Sequence, residues 1–348
     1  MNVICVDPRT DPAWLELSQR YPSSVFNSPQ WLRVLGDTYD FRVQAYVLLD
    51  DEGQPQAGIP FCHISDIRGE RIASLPFSDF SDPLVADRVQ WEILAGKLLE
   101  QGCPVKVRPL HNPIPLQDSR FVLVKQARWH GIDLDKDMDL VWQGFHSGAR
   151  RAIRKAERNG LVAYLAKSTA DLRTFFEMHR GVRKHKYRML AQPYAFFQNI
   201  WRHFVEQDQG TLMLVQQEGR ILGGALFLEW QDTLYYKFNA SMPGTLDLRP
   251  NDLVIWEGIR YAKAKGLTRF DFGLSDWDQE GLVRYKRKYA TEEKAISFLR
   301  HIPANAQLCP SVEAVQELLP QLTQLLTDES VPDAVTEEAG ALLYRYFA

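Results

Sequence analysis

The sequence predicts an α/β protein with two similar domains in tandem, each built from a mixed β-sheet flanked by helices. Its 348 residues are about twice the length of an ordinary domain of ~100–200 residues. The second half alternates strand and helix patterns, and a strand–helix–strand unit after a three-strand meander gives a mixed sheet. Landmarks of the first half recur in the second half at a nearly constant offset, which favours a structural duplication.

The second half is predicted to have the element order β-α-α-β-β-β-α-β-α-β. The strands are expected at 161–166, 211–217, 220–230, 233–240, 268–272 and 295–300, and the helices at 169–187, 193–206, 251–265 and 279–289. Tight turns at Glu218-Gly219 and Gln231-Asp232 join the three central strands into a meander. Gly266 ends the helix that follows them.

The first half repeats part of this order, with strands expected at 43–50, 57–64, 71–77 and 104–108 and a helix at 87–101. Three pairs of landmarks support the repeat: EGQPQAG (52–58) with EGRILGG (218–224), Trp91 with Trp256, and Gly102 with Gly266, at offsets of 166, 165 and 164 residues. We therefore expect residues 43–108 and 211–272 to superimpose.

The predicted domains are residues 1–135, residues 136–302 as the catalytic domain, and a helical tail, 303–348, that packs back on the domains. A strand with loops over 109–135 links the two domains. The tail is acidic, and its predicted apolar positions are Val312, Val315, Leu318 and Leu319.

Composition and motifs narrow the class of protein. The net charge is −3, and no stretch approaches the ~18 apolar residues of a membrane span. The N-terminus has no signal-peptide pattern, so a cytoplasmic protein without a membrane span is expected. The cysteines are predicted to be reduced core residues; they are Cys5, Cys62, Cys103 and Cys309. The eight histidines lack metal-ligand spacing, and Walker, H-E-x-x-H and G-x-S-x-G motifs are absent, so no bound metal or cofactor is expected.

Positive charge is concentrated between residues 143 and 192, where twelve Lys/Arg and three Asp/Glu give a balance of +9. A helix capped by Ser147 and ended by Gly160 is predicted to turn Ala149, Ala152, Ile153 and Ala156 inward and Arg150, Arg151, Arg154, Lys155 and Arg158 outward. A second cluster contains Arg180, Arg183, Lys184, Lys186 and Arg188. These clusters are either a solvated face or a site for an anion, such as a nucleotide-sugar phosphate, a tRNA backbone or a CoA tail.

Lys286 is the most informative single residue. In the predicted helix 279–289, Leu282, Tyr285 and Tyr289 form an apolar stripe that includes Lys286, whereas Arg284, Arg287 and Lys288 point away. A lysine on an inward face must snorkel, pair with another group or take part in chemistry. We expect its ammonium to reach the cleft between the domains, near the end of the strand 235–239 or near the turn after Phe272.

Five segments resemble the FemAB/FemX-type aminoacyltransferases and their GCN5-like (GNAT) relatives, including the CelD-like acyltransferases. They are SGARRAIRKAERNGL (147–161), FNSPQW (26–31), LRPNDLVIWEGI (248–259), FDFG (270–273) and GLVRYKRKY (281–289). The predicted element order is similar to that of the GNAT fold. The resemblance implies two GNAT-like domains and an enzyme of the kind that builds peptidoglycan cross-bridges with amino acids taken from aminoacyl-tRNA.

The resemblance also implies roles for individual residues. It gives Lys286 the stabilisation of a tetrahedral transition state and gives Arg183 a part in phosphate binding. Asp271 is a candidate base, with a structural cap as the alternative. The further substrate-binding candidates are Trp31, Arg33, Lys186, Tyr236, Arg249 and Asn251. The acetyl-CoA loop of simple GNAT enzymes is replaced by SMPGTLDLRPND (241–252), so the co-substrate is either acyl-CoA or aminoacyl-tRNA.

The sequence therefore predicts an acyl- or aminoacyltransferase in which an amine attacks an activated ester or thioester. Positioning supplies most of the rate, and Lys286 donates to the oxyanion. The expected partners are a small-molecule or lipid-linked anionic substrate and tRNA on the basic face of residues 150–188. One alternative is a GNAT acetyltransferase acting on a polysaccharide or lipid-linked sugar. The other is a non-catalytic module that binds RNA or another anionic ligand.

Overall fold

The computed structural model describes the backbone of residues 2–304 and 310–348, and the side chains of residues 2–304 and 314–348. The chain divides into two compact units. Unit 1 consists of Met1–Ala127, Ala295–Gln321 and Arg345–Ala348, and unit 2 consists of Arg128–Lys294 and Leu322–Tyr344. This division differs from the predicted one, because the last strand crosses from unit 2 into unit 1 and the tail is shared between them. A hydrophobic pattern identifies a strand but not the sheet that the strand joins, so this exchange was not visible in the sequence.

Unit 1 begins with five strands and three helices, which are β1 (Asn2–Val6), α1 (Pro12–Arg20), α2 (Pro29–Tyr39), β2 (Arg42–Leu49), β3 (Pro55–Asp66), β4 (Gly69–Ala73), α3 (Arg88–Leu99) and β5 (Val105–Val107). The side chains of Asp11, Ser28 and Asp87 cap the three helices by accepting backbone N–H groups of the first turn. The elements β1, α1 and α2 were not predicted.

The chain then passes through β6 (Val122–Asp133), which crosses the unit boundary, into the elements of unit 2. They are α4 (Met138–Gly144), α5 (Ser147–Arg158), β7 (Val162–Leu165), α6 (Thr169–Gly181), α7 (Tyr194–His203), β8 (Gly210–Gln217), β9 (Arg220–Trp230), β10 (Thr233–Ser241), α8 (Pro250–Ala264), β11 (Arg269–Asp276) and α9 (Glu280–Lys286). The last elements are β12 (Glu292–His301), α10 (Pro310–Leu326) and α11 (Asp333–Leu343). The predicted helix 169–187 is interrupted, because a π-helical turn follows α6 over Val182–Lys186.

The two units repeat the same strand order and direction. In unit 1, β2, β3 and β4 pair antiparallel and β4 pairs parallel with β5. In unit 2, β8, β9 and β10 pair antiparallel and β10 pairs parallel with β11. Gly53 and Gly219 both have φ of 80° at the first hairpin turn, and Gly102 and Gly266 both have positive φ just beyond the end of the following helix. The mixed α/β fold is confirmed, and the shared strand order and direction agree with the predicted duplication of residues 43–108 and 211–272.

Each unit has its own core, with helices packed on its sheet. In unit 1, Trp91 and Leu94 of α3 pack against the strands, and in unit 2 α5 and α8 do so. Cys62 and Cys103 are buried as predicted, but Cys5 is exposed, and Cys309 lies outside the described residues.

The apolar positions named for the tail differ in their burial. Leu319 is buried, whereas Leu318 is exposed and Val315 is half-buried; the side chain of Val312 lies outside the described residues. Over the described part of the chain, no helix combines the length and the apolar character needed to cross a membrane.

Candidate functional site

Lys286 lies at the end of α9 and is 4% exposed. Its Nζ donates hydrogen bonds to the carbonyl oxygens of Gly273 at 3.1 Å and Leu274 at 2.8 Å. These carbonyls directly follow Phe272, so the ammonium occupies the second of its two predicted locations. A buried ammonium held by two carbonyl dipoles is fixed in position, which is what a preorganised hydrogen-bond donor requires.

Asp271 supports the backbone to which Lys286 binds. Its Oδ1 accepts a hydrogen bond from the N–H of Gly273 at 2.5 Å, and the carboxylate is buried. Gly273 has φ of 65°, a conformation that glycine adopts without strain. This geometry favours the capping role of Asp271 over the role of a base, because the carboxylate holds the N–H of Gly273, the residue whose carbonyl oxygen accepts from Lys286.

A histidine–glutamate pair lies close enough to Lys286 to feel its charge. His130 has a fully buried side chain, and its Nε2 is 3.1 Å from Oε2 of Glu293. Burial, followed by the positive charge of Lys286, lowers the pKa of His130 to about 4. Hydrogen bonds from Arg287 and Arg128 hold the pKa of Glu293 at about 2, so a neutral imidazole sits beside an ionised carboxylate. Sequence analysis missed the pair, since its members are 163 residues apart and no local motif joins them.

A second buried cluster in unit 2 contains an aspartate and three tyrosines. The hydroxyl of Tyr289 donates to Oδ1 of Asp252 at 2.5 Å, and Asp252 is 4% exposed. Burial raises the pKa of Asp252, although the hydrogen bond from Tyr289 opposes the shift. Burial also raises the pKa values of Tyr236 and Tyr285 well above their usual range. The structure therefore places Tyr236, a predicted substrate-binding residue, in a cluster where burial raises the pKa values of the carboxyl and phenol groups.

Arg249 and Asn251 lie at the start of α8, beside this cluster. Arg249 is exposed, and its positive charge partly opposes the rise that burial causes in the pKa of Asp252. Oδ1 of Asn251 accepts from Nδ2 of Asn239 on β10 at 3.1 Å. The structure thus brings the predicted residues Tyr236, Arg249 and Asn251 to one end of α8, while Lys286 is placed on α9.

The candidates in the first half have structural contacts within unit 1. Trp31 is 0% exposed, and its indole N–H donates to Oγ of Ser78 at 2.8 Å. We therefore correct its assignment from substrate binding to the core. Arg33 donates from Nη2 to the carbonyl oxygen of Arg9 at 2.7 Å and is half-buried.

The basic face of α5 is arranged largely as predicted, although Arg150 and Ala152 are both half-buried. Ala149, Ile153 and Ala156 are fully buried, and Arg151, Arg154, Lys155 and Arg158 are exposed. Neither these four cations nor Arg150 forms an ion pair with any described carboxylate. The predicted cap is corrected: His146 precedes the helix, and its Nδ1 accepts from the N–H of Gly148. Sequence analysis chose Ser147 because serine is the commoner cap.

The second basic cluster is largely neutralised by the tail. The ion pairs join Arg173 to Glu337, Arg180 to Asp333 and Glu337, Lys184 to Asp333, and Arg188 to Glu329. Lys184 is 1% exposed, and its Nζ also donates to the carbonyl oxygen of Val331. Arg183 donates twice to the carbonyl oxygen of Leu190, and Lys186 is exposed. The tail therefore supplies carboxylates to the second of the two predicted clusters, whereas the cations of α5 keep no acidic partner among the described residues.

Comparison with known proteins assigns the second half of the chain. Residues 144–287, from α4 to α9, match the family model of the acetyltransferase (GNAT) domain. The structure of FemX matches with a TM-score of 0.69 at 15% identity, covering 92% of this chain and 100% of that chain. Residues 144–287 therefore match a GNAT domain, and the chain has the fold of FemX. The resemblance read from the five sequence segments is confirmed.

Two further relatives extend the comparison. A lipid II:glycine glycyltransferase from Staphylococcus epidermidis is 32% identical over 93 residues, which are 25% of this chain and 22% of that protein. This chain therefore matches less than a quarter of that relative's length. The structure of L-PGS from Bacillus licheniformis matches with a TM-score of 0.56 at 14% identity, covering 90% of this chain and 97% of that chain. The residues that match the GNAT domain include both Lys286 and the exposed face of α5.

Proposed function

We propose that the protein is an aminoacyl- or acyltransferase that acylates an amine of a peptidoglycan precursor. The single observation that carries this proposal is Lys286, a buried ammonium held by the carbonyl oxygens of Gly273 and Leu274 inside the GNAT domain. The similarity to a lipid II:glycine glycyltransferase supports peptidoglycan as the class of acceptor.

In the proposed reaction, the nitrogen of a neutral amine attacks the carbonyl carbon of an activated ester or thioester. The carbonyl oxygen becomes an oxyanion, and the ammonium of Lys286 donates a hydrogen bond to it. The intermediate then collapses, the bond to the leaving oxygen or sulfur breaks, and the amine's proton passes to the leaving group. One donor of this kind contributes ~10²–10³ in rate, because it meets charge that develops only in the transition state.

The basic face of α5 supports a polyanionic donor. Its exposed cations have no acidic partners among the described residues, so they are available for phosphates. We propose that aminoacyl-tRNA contacts this face. Acyl-CoA is the second candidate donor, and the match to an acetyltransferase domain favours it. A charged face of this kind also fits the alternative of an RNA-binding module, which the transfer assay distinguishes.

The test is a transfer assay with purified protein, peptidoglycan precursors bearing a free amine, and either charged tRNA or acyl-CoA as the donor. Mass spectrometry would detect the acylated precursor. We expect Lys286→Met to reduce turnover by ~10²–10³, and Lys286→Arg to recover little, because a guanidinium does not replace a compact ammonium. Arg284→Met is the matched control, since Arg284 is an exposed cation of the same helix. Unchanged turnover in folded Lys286→Met would remove the proposed mechanism.

A further inference from the structure

Two like charges face each other across neighbouring strands of unit 1. Lys106 on β5 is directly opposite Arg300 on β12, and on its other side it is opposite Ala73 on β4. Arg71 lies two residues before Ala73, so it points to the same face of the sheet. Like charges at directly opposite positions destabilise a sheet, because their side chains leave the strands only ~5 Å apart. Lys106 and Arg300 therefore occupy an arrangement that favours an anion between them.

The guanidinium groups on this face have buried N–H donors without acceptors. Nε of Arg300 and Nε of Arg68 are both buried and make no hydrogen bond with the described residues. Arg68 uses another nitrogen to reach the carbonyl oxygens of Tyr346 and Ala348. Neither Lys106 nor Arg300 has an ion pair or a side-chain hydrogen bond with any described group. A buried donor that is left unsatisfied costs ~1–3 kcal/mol, so these groups are poised for a ligand that accepts.

The nearby carboxylates do not balance the cations. Asp66 forms a two-pronged ion pair with Arg71, at 2.8 and 2.9 Å, in a site where both side chains are buried. Arg108 donates to the carbonyl oxygen of Ser78 and lies over the ring of Phe298, 5.2 Å from its centroid. Lys106 and Arg300 form no ion pair with a described carboxylate, whereas Arg68 lies within the influence of Asp66 and shares the oxygen of Ala348 with Arg71.

The titration of Lys106 agrees with this arrangement. Burial, followed by the charges of Arg68 and Arg108 and then those of Arg71 and Arg300, lowers the pKa of Lys106 to about 8. A bound anion would oppose that shift, because an opposite charge favours the protonated amine.

We infer that unit 1 binds a phosphate or diphosphate group on the sheet face formed by Lys106, Arg300 and Arg68, with Arg71 and Arg108 at its sides. The forked guanidinium groups match the oxygens of a phosphate, and the ammonium adds a compact charge between them. An anion with two or more negative charges fits this set better than a carboxylate does. The site is separate from Lys286 and does not depend on the proposed transfer reaction.

The primary test is calorimetric titration of the full chain with inorganic pyrophosphate. We expect Lys106→Gln and Arg300→Gln each to weaken binding at least tenfold, because each removes one charge-assisted hydrogen bond. Lys97→Gln is the matched control: it removes an exposed lysine of the same unit that pairs with Glu100, and binding should not change. The inference would be overturned if the unmodified chain did not bind pyrophosphate. It would also be overturned if both variants bound pyrophosphate as tightly as the unmodified chain does.

A thermal measurement separates binding from a purely structural role. Without anion, Lys106→Gln should leave the unfolding temperature unchanged or raise it, because it removes a repulsion; with pyrophosphate it should lose most of the stabilisation that the unmodified chain gains. A lower unfolding temperature with an unchanged pyrophosphate response would make Lys106 structural and refute the site.

Competition distinguishes the sources of the diphosphate. Displacement of pyrophosphate by UDP would indicate a soluble nucleotide, and co-sedimentation with vesicles that contain a prenyl diphosphate would indicate a lipid-linked one. If neither competes, the site takes inorganic anions only and the assignment to a substrate or ligand group fails.

Discussion

Replacing Asp271 tests whether this residue positions Lys286 or acts as a base. Its Oδ1 accepts the N–H of Gly273, and the carbonyl of that residue binds Lys286. Asp271→Ala leaves a buried N–H without this acceptor, which costs ~1–3 kcal/mol. Unit 2 is large enough that each kcal/mol lowers the unfolding temperature by ~2–4 °C, so we expect a decrease of roughly 2–12 °C. Displacement of the ammonium by about 1 Å should also reduce turnover by ~10².

Asp271→Asn keeps an oxygen at the acceptor position and loses only the charge, which is worth ~1 kcal/mol. We expect this variant to retain turnover within about tenfold of the unmodified enzyme and to keep the same pH–rate profile. The assay is steady-state transfer across pH together with thermal unfolding, with Asp278→Asn as the control because Asp278 is exposed in the turn that follows β11. Equal losses of turnover in the alanine and asparagine variants, with the acidic limb of the pH profile gone, would show that Asp271 is the base and refute the positioning role.

Three further outcomes are expected. Burial lowers the pKa of His179 to about 3, so below pH 6.5 the unfolded chain binds a proton that the folded chain does not bind. The free energy of unfolding should therefore fall by roughly 1.4 kcal/mol per pH unit below 6.5, and His179→Leu should flatten that slope in denaturant titrations. The triple change of Arg151, Arg154 and Arg158 to Gln should reduce the salt dependence of tRNA binding by ~0.7 log units per lost phosphate contact, and an unchanged slope would exclude this face. Glu337→Gln should lower stability by ~1–3 kcal/mol in chemical unfolding, because two arginines lose a shared carboxylate, whereas no change would show that the tail is only loosely attached.

Local patterns predicted the elements that carry the chemistry well. The strand at 220–230 has the predicted limits, since a nearly continuous apolar run between two tight turns defines both of its ends. Burial of Lys286 followed from helical periodicity, and the exposed face of α5 followed from the same argument. These features depend on neighbours three or four residues apart, which a sequence displays directly.

Features that depend on distant contacts were not predictable in this way. The helix predicted for 169–187 gives way to a π-helical turn at Val182, in the segment where Lys184 is buried against the tail. The pairing of His130 with Glu293 joins β6 and β12, which are neighbours in the sheet although the two residues are 163 positions apart in the sequence. Trp31 belongs to a motif typical of the family, yet only the structure shows that its ring is enclosed and hydrogen-bonded to Ser78. In each case the contacting residue is far away in the sequence, so composition and local spacing could not predict the contact.

The ion pairs between the tail and the segment after α6 affect how quickly an anionic partner finds the protein. Asp333 and Glu337 cancel much of the charge on Arg180 and Lys184, which leaves α5 as the main outward source of positive field in this stretch. A compact positive surface attracts a polyanion over a distance of ~8 Å at physiological ionic strength and raises encounter rates by 10–10³-fold. Added salt should therefore slow association through α5, while the tail keeps the neighbouring cations from capturing the same partner in the wrong orientation.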